Sequence, residues 1–576
     1  MKITKVFVFL VLILLAIVIV SGCSEQDMAT ETNALQSGGE ETKEKESGDG
    51  ENHSKKDDEQ ILNLMEMGPL TLMDSALAQD VGTFNVLNNV NEGLFRLDED
   101  NQAIPALAAA EPEVSEDGLT YTFTLRKANW SDGTPITSAD FVYSWQRAID
   151  PATESPYGPY MMAGTIANAE AIAAGEMDPT ELGVVAPDDS TLTVTLERPI
   201  PYFLSLMAFG TFYPQNEAFV AGAGDAYATN ADQVLYNGPF KLTEWDGSEG
   251  SSWTMEKNEE YWDAETVVLE TINVDVVTDP AAAVDLYTSG EKDIAFLAGE
   301  AAEQYADDPE VMEGQSPNVF YIKFNQLRDG KRTALANEDI RRALAQAFDK
   351  ADIVGKVLAD GSLPANYLVP SEFAVNENGE DFRSINGEML EFDAEAAAEL
   401  WSQGLQAEGL DELTLELLGE DHDVAIQLNE ELKVHLEENL EGLTVELKTV
   451  PFEELLALED AQNYDLLHTG WGPDYLDPMT FLDLFVTDSP LNLMSYSNEE
   501  YDALIESAKG ELAQDPVARW EAMAEAERIL LEEDVAIAPI FQMGTMSLKK
   551  PYVKNIVKHP FGSDYSLKWT YISGKE

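Results

Sequence analysis

Residues 118–151 read GLTYTFTLRKANWSDGTPITSADFVYSWQRAIDP. The first part of this stretch alternates threonine with aromatic or aliphatic side chains, which predicts a half-buried β-strand. The string SDG that follows predicts a turn. Thr137 and Asp140 then form a capping box in front of an apolar helical stripe, and we expect the helix to end near Asp150. A strand, a turn and a capped helix in close succession indicate a mixed α/β protein.

Helical and extended patterns also alternate toward the C-terminus. Residues 337–358 (NEDIRRALAQAFDKADIVGKVL) carry apolar side chains at helical spacing behind Asn337, which we expect to cap the helix. Residues 516–534 show a second helical pattern, and VAIAPIF at residues 535–541 predicts a buried strand. The chain has 576 residues, 44% of them hydrophobic, which is more than one core normally serves. We therefore expect two or three lobes.

The N-terminus has the three-part plan of a secretory signal. Two lysines precede the apolar run 6–20, and Ser21 and Gly22 stand directly before Cys23. The run is shorter than the roughly 20 residues that span a bilayer. The pattern resembles the lipobox of bacterial lipoproteins, in which the signal, here residues 1–22, is removed and the cysteine receives a lipid. The alternative is an ordinary signal peptide with an incidental cysteine.

The segment behind Cys23 predicts a linker. Residues 24–59 contain no aromatic side chain and are rich in Glu, Ser, Gly and Lys, so they bury too little apolar surface to fold. We expect residues 23–59 to form a disordered acidic linker, with folded structure starting near Ile61. Cys23 is the single cysteine of the chain, which excludes an intrachain disulfide.

The chain is strongly acidic. Its 108 Asp and Glu residues against 34 Lys and Arg residues give a formal net charge of −74. Nucleic acid is excluded as an expected partner because its binding depends on basic residues that neutralise phosphates. Such a surface keeps a protein soluble where salt screens other repulsion, so a saline or alkaline habitat is one explanation. Lineage-wide compositional drift is the other.

Common catalytic motifs are absent from the sequence. We find no G-x-x-x-x-G-K-[ST] phosphate loop, no H-E-x-x-H helix, no G-x-S-x-G elbow and no C-x-x-C pair. The five histidines are scattered without a close i, i+3 or i, i+4 pair, which favours surface or packing roles over metal ligation. The sequence therefore predicts a protein that is not an enzyme and needs no metal or cofactor.

Four strings together indicate a family: VLNNVNEGLFRLDED at 86–100, residues 114–160, IRRALAQAFDK at 340–350 and TGWGPDYLDPMTFLDLF at 469–485. From about residue 64 onward the chain resembles the family 5 extracellular solute-binding proteins, the OppA-type receptors of oligopeptide ABC transporters. The resemblance implies a type II periplasmic-binding fold with two hinged lobes and an additional domain on the N-terminal lobe. An oligopeptide would be enclosed between the lobes and delivered to a permease.

The resemblance also implies boundaries and a location. The expected parts are a discontinuous base lobe (60–92, 215–317 and 544–576), the additional domain (93–214) and the opposing lobe (318–543). A lipid on Cys23 suits a bacterium without an outer membrane, such as a Gram-positive one. We therefore expect a monomer on the extracytoplasmic face of the cell membrane, attached through the N-terminal lipid only.

The binding site that follows has its own physical logic. A receptor for varied peptides binds what all peptides share, the backbone and the amino-terminal ammonium, and an ammonium removed from water needs a carboxylate beside it. In the family this carboxylate is the aspartate of the GWxxDY motif, which is Asp474 here. The alternative is that Asp474 caps a turn or helix before the string LDP at 476–478.

The resemblance implies five further ligand contacts. Trp471 of the same motif would form an apolar wall for a peptide side chain, and a tryptophan of the core is the alternative. Tyr157 matches a tyrosine that lines the cleft, with Tyr160 as a second candidate. Val81 falls where the family presents backbone to the peptide, and Tyr321 falls at another ligand-lining position.

The chain departs from the family pattern at several places. Pro473 stands where a small, flexible residue is usual, residues 73–80 (MDSALAQD) replace a leucine-aspartate-proline string, and His468 stands where some relatives have arginine. Residues 289–300 lack paired asparagines that other members carry. Peptide length and side-chain preference are therefore not predicted. A signalling peptide, a cell-wall peptide, a metal chelate or a glycan remain alternative ligands, and an enzyme or chaperone on this scaffold is a different class.

Overall fold

A computed structural model of the chain describes residues 56–248, 250–328, 330–376, 378–487, 489 and 491–575. The predicted signal segment, Cys23 and nearly all of the predicted linker lie outside the described residues. Among the described helices, none combines the length and the apolar character that crossing a membrane requires.

The described residues form 23 strands and 17 α-helices. The strands are β1 (Ile61–Glu66), β2 (Phe95–Leu97), β3 (Ala103–Pro105), β4 (Glu113–Val114), β5 (Thr120–Thr124), β6 (Val184–Asp188), β7 (Thr191–Thr195), β8 (Phe240–Glu244), β9 (Ser252–Lys257), β10 (Thr271–Val276), β11 (Ile294–Phe296), β12 (Val311–Phe324), β13 (Leu327–Arg328), β14 (Lys331–Arg332), β15 (Leu363–Pro364), β16 (Leu413–Glu420), β17 (Leu443–Val450), β18 (Leu466–Trp471), β19 (Ile537–Lys549), β20 (Val553–Lys554), β21 (Val557–Lys558), β22 (Tyr565–Ser566) and β23 (Tyr571–Ile572). The helices are α1 (Val81–Val90), α2 (Ser138–Ile149), α3 (Tyr157–Met162), α4 (Ala169–Ala173), α5 (Phe203–Leu206), α6 (Glu217–Ala223), α7 (Pro280–Ser289), α8 (Glu300–Tyr305), α9 (Glu338–Gln346), α10 (Lys350–Ile353), α11 (Arg383–Asn386), α12 (Ala394–Glu408), α13 (Asp423–Asn439), α14 (Phe452–Asp460), α15 (Met479–Leu482), α16 (Glu499–Lys509) and α17 (Pro516–Arg528).

Three larger sheets organise these elements. A mixed four-stranded sheet has the order β1-β10-β9-β8, with β1 parallel to β10. An antiparallel four-stranded sheet has the order β4-β5-β7-β6. A seven-stranded mixed sheet has the order β11-β19-β12-β18-β16-β17, and β15 pairs with β19 beside this path. The four-stranded sheets belong to the N-terminal part of the chain and most of the seven-stranded sheet to the C-terminal part.

Two main hydrophobic cores match this division. The first core takes buried side chains from residues 62–294 and again from 553–572, so the C-terminal segment returns to pack with the N-terminal part. The second core lies within residues 319–541. Burial of apolar surface stabilises each body around its own core, and Tyr475 and Leu476 pack against both cores.

Two long antiparallel strands connect these bodies. The first half of β12 pairs with residues 544–548 of β19 and its second half with residues 537–542, with a register shift between Gln315 and Val319. At this crossing a side chain on Gly544 would have its Cβ 2.1 Å from the backbone of Gly361, so the close approach requires glycine. The bulged strand pair is the link between the bodies.

The stretch that opened the sequence analysis folds as predicted. Its strand is β5, and α2 carries the predicted capping box of Thr137 and Asp140 and ends at the C-cap Asp150. Asn337 caps α9 as expected. The predicted strand at 535–541 begins two residues later, at Ile537, because Val535 has a φ of 45°, outside the extended region.

Candidate functional site

A cavity of about 270 Å³ lies between the two bodies. Its walls come from residues of five segments, 79–84, 315–318, 371–372, 472–474 and 558–564, together with Asn101 and aromatic rings of the first core. The segments at 79–84 and 558–564 belong to the first body, the loop at 472–474 follows β18 of the second, and 315–318 lies at the bulge of β12. A ligand held here would contact both bodies and the strands that join them.

Asp474 lies on the wall of this cavity with its side chain almost fully buried, because the residue is 4% exposed. Its carboxylate accepts a hydrogen bond of 2.6 Å from the Tyr160 hydroxyl, which comes from α3 of the first body. Its backbone N–H donates to Thr480 Oγ1 at 3.1 Å. Within the described residues no Lys, Arg or His forms an ion pair with it. Burial raises the pKa of Asp474 to about 7, although the Tyr160 hydrogen bond acts in the opposite direction.

The capping role considered for Asp474 belongs to its neighbour Asp477. Asp477 Oδ1 accepts from the N–H of Met479 at the start of α15. The same carboxylate forms a bidentate ion pair with Arg519, with N···O distances of 2.7 and 2.8 Å. Asp474 is thus the carboxylate of this loop that the protein leaves without a cation, within the described residues.

Tyr157 lies on the cavity wall in an aromatic group. Its ring centroid is 5.6 Å from that of Phe84 and 5.3 Å from that of Phe209, and all three rings line the cavity. Tyr160, one turn along α3, does not line the cavity with its ring and is 46% exposed, but its hydroxyl reaches Asp474. Both tyrosines therefore meet at the predicted site, one as a wall and one as a hydrogen-bond donor.

Val81 also lines the cavity, as the first residue of α1. Asp80 caps this helix by accepting from the N–H of Thr83. Among the described residues the Val81 N–H forms no hydrogen bond, as is usual for the first turn of a helix. The position can offer a peptide one backbone donor, from helical rather than extended backbone.

Trp471 and Tyr321 lie elsewhere. Trp471, at the end of β18, is 5% exposed, packs in the second core and is not part of the cavity wall. Tyr321 is 1% exposed and packs against Phe485 with ring centroids 6.0 Å apart. The placement of Trp471 agrees with a core residue, and the geometry gives no support to the predicted peptide contacts of Trp471 and Tyr321. Tyr321 pairs with Thr469, whereas its neighbour Phe320 lies on the opposite face of β12.

Sequence reasoning missed the contribution of the C-terminal segment. Lys558, His559 and Asp564 all line the cavity, although no motif marks them. His559 was expected to be a surface or packing residue; its Nδ1 lies 2.8 Å from Asn101 Oδ1, and burial lowers its pKa to about 3. Glu372, from the second body, is a further acidic wall residue. Only the return of the chain to the first core brings 558–564 to the site.

His468, one of the departures from the family pattern, lines a second and more apolar cavity of about 110 Å³. Its ring centroid lies 6.0 Å from that of Phe320, and Phe320 stacks on Phe541. Burial lowers the pKa of His468 to about 4, so the imidazole is neutral near pH 7. This position therefore offers no positive charge where an arginine would offer one.

One group of potential metal ligands lies away from both cavities. Asp352, Glu431 and His435 place their ligand atoms within 4.8 Å of one another. Lys356 Nζ lies 2.6 Å from the Asp352 carboxylate and 3.7 Å from that of Glu431. The ammonium already supplies the positive charge at this cluster, which gives no argument for a bound metal.

Comparison with known proteins now decides the family. A family model described as "Bacterial extracellular solute-binding proteins, family 5 Middle" matches residues 102–492. The chain belongs to this family. As a family 5 solute-binding protein it is 33% identical to the dipeptide-binding protein DppE of Bacillus subtilis over 519 residues, 89% of this chain and 92% of the relative. The family is defined by binding rather than catalysis, in agreement with the expectation that the chain is not an enzyme.

Solved structures of the family confirm the predicted fold class. OppA of Listeria monocytogenes bound to peptide is 45% identical, with a TM-score of 0.74, covering 90% of this chain and 100% of that one. The pheromone receptor PrgZ is 36% identical, with the same TM-score and coverage. This family 5 chain therefore has the α/β type II periplasmic-binding fold, with an additional domain beside its two lobes.

Proposed function

We propose that this protein captures oligopeptides between its two lobes and delivers them to the permease of an ABC peptide transporter. The observation that carries the proposal is the buried carboxylate of Asp474, which faces the cavity between the lobes and has no cation of the described protein beside it. A buried ionised carboxylate is costly unless a positive charge accompanies it. The amino-terminal ammonium of a peptide supplies that charge.

The surroundings of Asp474 suit an incoming ammonium. With its pKa raised to about 7, the Asp474 carboxyl is partly protonated near neutral pH, and an ammonium replaces that proton with a full ion pair. The Tyr160 hydroxyl fixes the orientation of the carboxylate from the opposite body. The aromatic wall around Tyr157 offers apolar area to the first side chain, and the Val81 N–H offers a donor to a peptide carbonyl.

The division into lobes and the attachment to the cell are part of the proposal. We assign 60–92, 215–317 and 544–576 to the base lobe, 93–214 to the additional domain and 318–543 to the opposing lobe. Return of the C-terminal segment to the first core and the bulge of β12 near residue 317 support these boundaries. Cys23 is the proposed lipid site, supported by the apolar run before it, and holds a monomer on the extracytoplasmic face of a Gram-positive cell membrane.

Signalling rather than nutrition is the second candidate for the peptide. The similarity to the pheromone receptor PrgZ, at 36% identity over 90% of the chain, favours it. Both functions use the same ammonium site, so they differ in the peptide and not in its anchor. Mass spectrometry of peptides released from the protein purified from its own cells separates them: a ladder of mixed sequences supports nutrition, and one dominant sequence supports signalling.

Asp474→Asn tests the ammonium site, because asparagine keeps the shape and the hydrogen-bond acceptor and removes the charge. We expect this change to weaken binding of trialanine by about 2 to 5 kcal/mol in titration calorimetry. N-acetylated trialanine is the matched ligand, and its affinity should be weak and equal for both proteins. Equal affinity of the unchanged protein for trialanine and its N-acetyl form would contradict the proposal.

A further inference from the structure

The cavity between the lobes contains one lysine and no arginine among its described wall residues. This lysine is Lys558, and the acidic side chains of the same wall are Glu372, Asp474 and Asp564. His559 is neutral at pH 7, as its lowered pKa indicates. Lys558 is therefore the described wall residue that carries a positive charge near pH 7, in a cavity that also contains the proposed anchor for a peptide ammonium.

Lys558 lies at the crossing of the two connecting strands. It ends the short strand β21, and its Nζ lies 3.4 Å from Thr545 Oγ1 on β19. A Cβ on Gly314, the residue of β12 that pairs with Thr545, would lie 2.5 Å from this Nζ. The Lys558 ammonium therefore occupies the space that a side chain at position 314 would fill. The position is thus defined by packing against the strand pair and not by an ionic partner.

The described residues place no carboxylate within 4.0 Å of Lys558 Nζ. Two other lysines of the same C-terminal region have an acidic partner, Lys568 at 2.7 Å from Asp263 and Lys550 at 3.5 Å from Glu310, whereas Lys549 Nζ donates to the Val553 carbonyl. Asp564, on the same wall, instead accepts a hydrogen bond from Asn85. The charge of Asp564 acts on Lys558 from beyond ion-pair distance, so a carboxylate brought by the ligand can form the direct ion pair that the described residues do not supply.

Burial lowers the pKa of Lys558 to about 8, which leaves the side chain mostly charged at pH 7. An approaching carboxylate would strengthen that charge, because an opposite charge nearby favours the ionised form of both groups. The ammonium is already partly removed from water, so little further desolvation opposes the new ion pair.

Residues 314–318 of β12 indicate how far Lys558 lies from the loop that carries Asp474. Gly314 lies beside Lys558, and Asn318 lies beside Gly472, two residues before Asp474. Four residues of a regular strand span about 13 Å, which is an upper limit here because the bulge between Gln315 and Val319 bends the strand. An extended peptide advances about 3.3 to 3.6 Å per residue, so three or four residues cover this span.

We propose that Lys558 binds a carboxylate of the peptide whose ammonium is held by Asp474. The inference rests on the proposed peptide function and adds the second charged anchor. The carboxylate can be the C-terminus of a tri- or tetrapeptide or the side chain of Asp or Glu within a longer one. Both sources present the same chemistry to the ammonium, and chemical modification of the peptide distinguishes them.

Calorimetry with the purified full-length chain tests this anchor through Lys558→Met. The probes are trialanine and tetra-alanine, their C-terminal amides, and the amides of Ala-Ala-Glu-Ala and Ala-Ala-Gln-Ala. For at least one probe with a carboxylate, we expect the change to weaken binding about tenfold or more. The matched neutral probe should change by less than about twofold. Loss of the effect on amidation identifies the C-terminus, and loss on exchange of Glu for Gln identifies the side chain.

Two further variants separate charge from packing. Lys558→Arg keeps the positive charge and should keep the preference for the carboxylate-bearing probe. Lys554→Met removes a half-buried lysine four residues earlier, outside the cavity, and should change no probe. Equal weakening of charged and neutral probes by Lys558→Met, or no weakening of either, would overturn the role of Lys558. If the unchanged protein bound none of the probes, the peptide function itself would fail.

Discussion

Asp474 and Asp477 stand three residues apart in one loop, and both are buried, yet their surroundings are opposite. Asp477 has a bidentate ion pair with Arg519 and caps α15, so its charge is satisfied by the protein. Asp474 has a hydrogen bond from Tyr160 and no cation among the described residues. A buried carboxylate with an internal cation is already compensated within the fold, whereas one without a cation can receive a cation from a ligand. The proposed role of Asp474 therefore rests on the absence of such a partner among the described residues and not on the residue type.

The strongest test of this contrast compares the two aspartates in unfolding. Asp477→Asn leaves Arg519 buried without its counter-charge, and we expect a loss of about 3 to 5 kcal/mol in the free energy of unfolding. Asp474→Asn leaves no charge unpaired, so we expect no loss in the free energy of unfolding at neutral pH. Urea denaturation followed by circular dichroism measures both. A loss below about 1 kcal/mol for Asp477→Asn would remove the distinction between the two sites.

The pH dependence of stability sharpens the comparison. The pKa of Asp474 is raised from 3.8 to about 7 in the folded protein, so the folded state holds this proton more tightly than the unfolded state. Its contribution to stability is complete below pH 4 and is lost as the pH rises through 7. We therefore expect the free energy of unfolding of Asp474→Asn, relative to that of the unchanged protein, to increase by about 1 to 3 kcal/mol when the pH is raised from 4.5 to 7.5. Urea denaturation at both pH values measures this gain, and a difference independent of pH would contradict it.

Peptide affinity should follow the same carboxylate in the opposite direction. Ionisation of Asp474 increases between pH 5.5 and 7, while the peptide ammonium stays protonated, so affinity for the amide of trialanine should rise about tenfold. The amide keeps Lys558 out of the measurement. Asp474→Asn is the control and should bind equally weakly at both pH values in titration calorimetry. A pH dependence that persisted in this variant would assign the titration to another group.

The smallest expected effect concerns the hydrogen bond across the cleft. Tyr160→Phe removes the donor to Asp474 and should weaken binding of trialanine about three- to tenfold, which corresponds to the roughly 0.5 to 1.5 kcal/mol of a typical hydrogen bond. Tyr157→Phe is the matched control, because among the described residues the Tyr157 hydroxyl makes no hydrogen bond. Titration calorimetry with both variants should show the loss for Tyr160→Phe alone. Equal losses would indicate that the aromatic wall, and not the hydrogen bond, is what both changes disturb.

The sequence predicted those elements whose signals are local. The capping box of Thr137 and Asp140 and the cap at Asn337 lie where expected, because a cap is a contact between residues two or three apart. Local signals did not predict which face of a buried strand a side chain occupies. Tyr321 was expected at the ligand and lies in the core, because a strand buried on both faces carries no alternation that tells one face from the other.

By itself, the sequence determined the α/β class and the family, because short-range patterns and family motifs carry that information, and the motif at 470–475 marked Asp474 as the candidate anchor. Only the tertiary structure decided which groups surround this aspartate. The Tyr160 hydroxyl comes from 314 positions earlier in the chain, and Lys558 comes from a C-terminal segment that returns to the first core. It also decided that Asp477, and not Asp474, receives Arg519, 42 residues away. Charge compensation depends on the distance between two groups in space. That distance is set by how the lobes pack, and local sequence patterns carry no information about this packing.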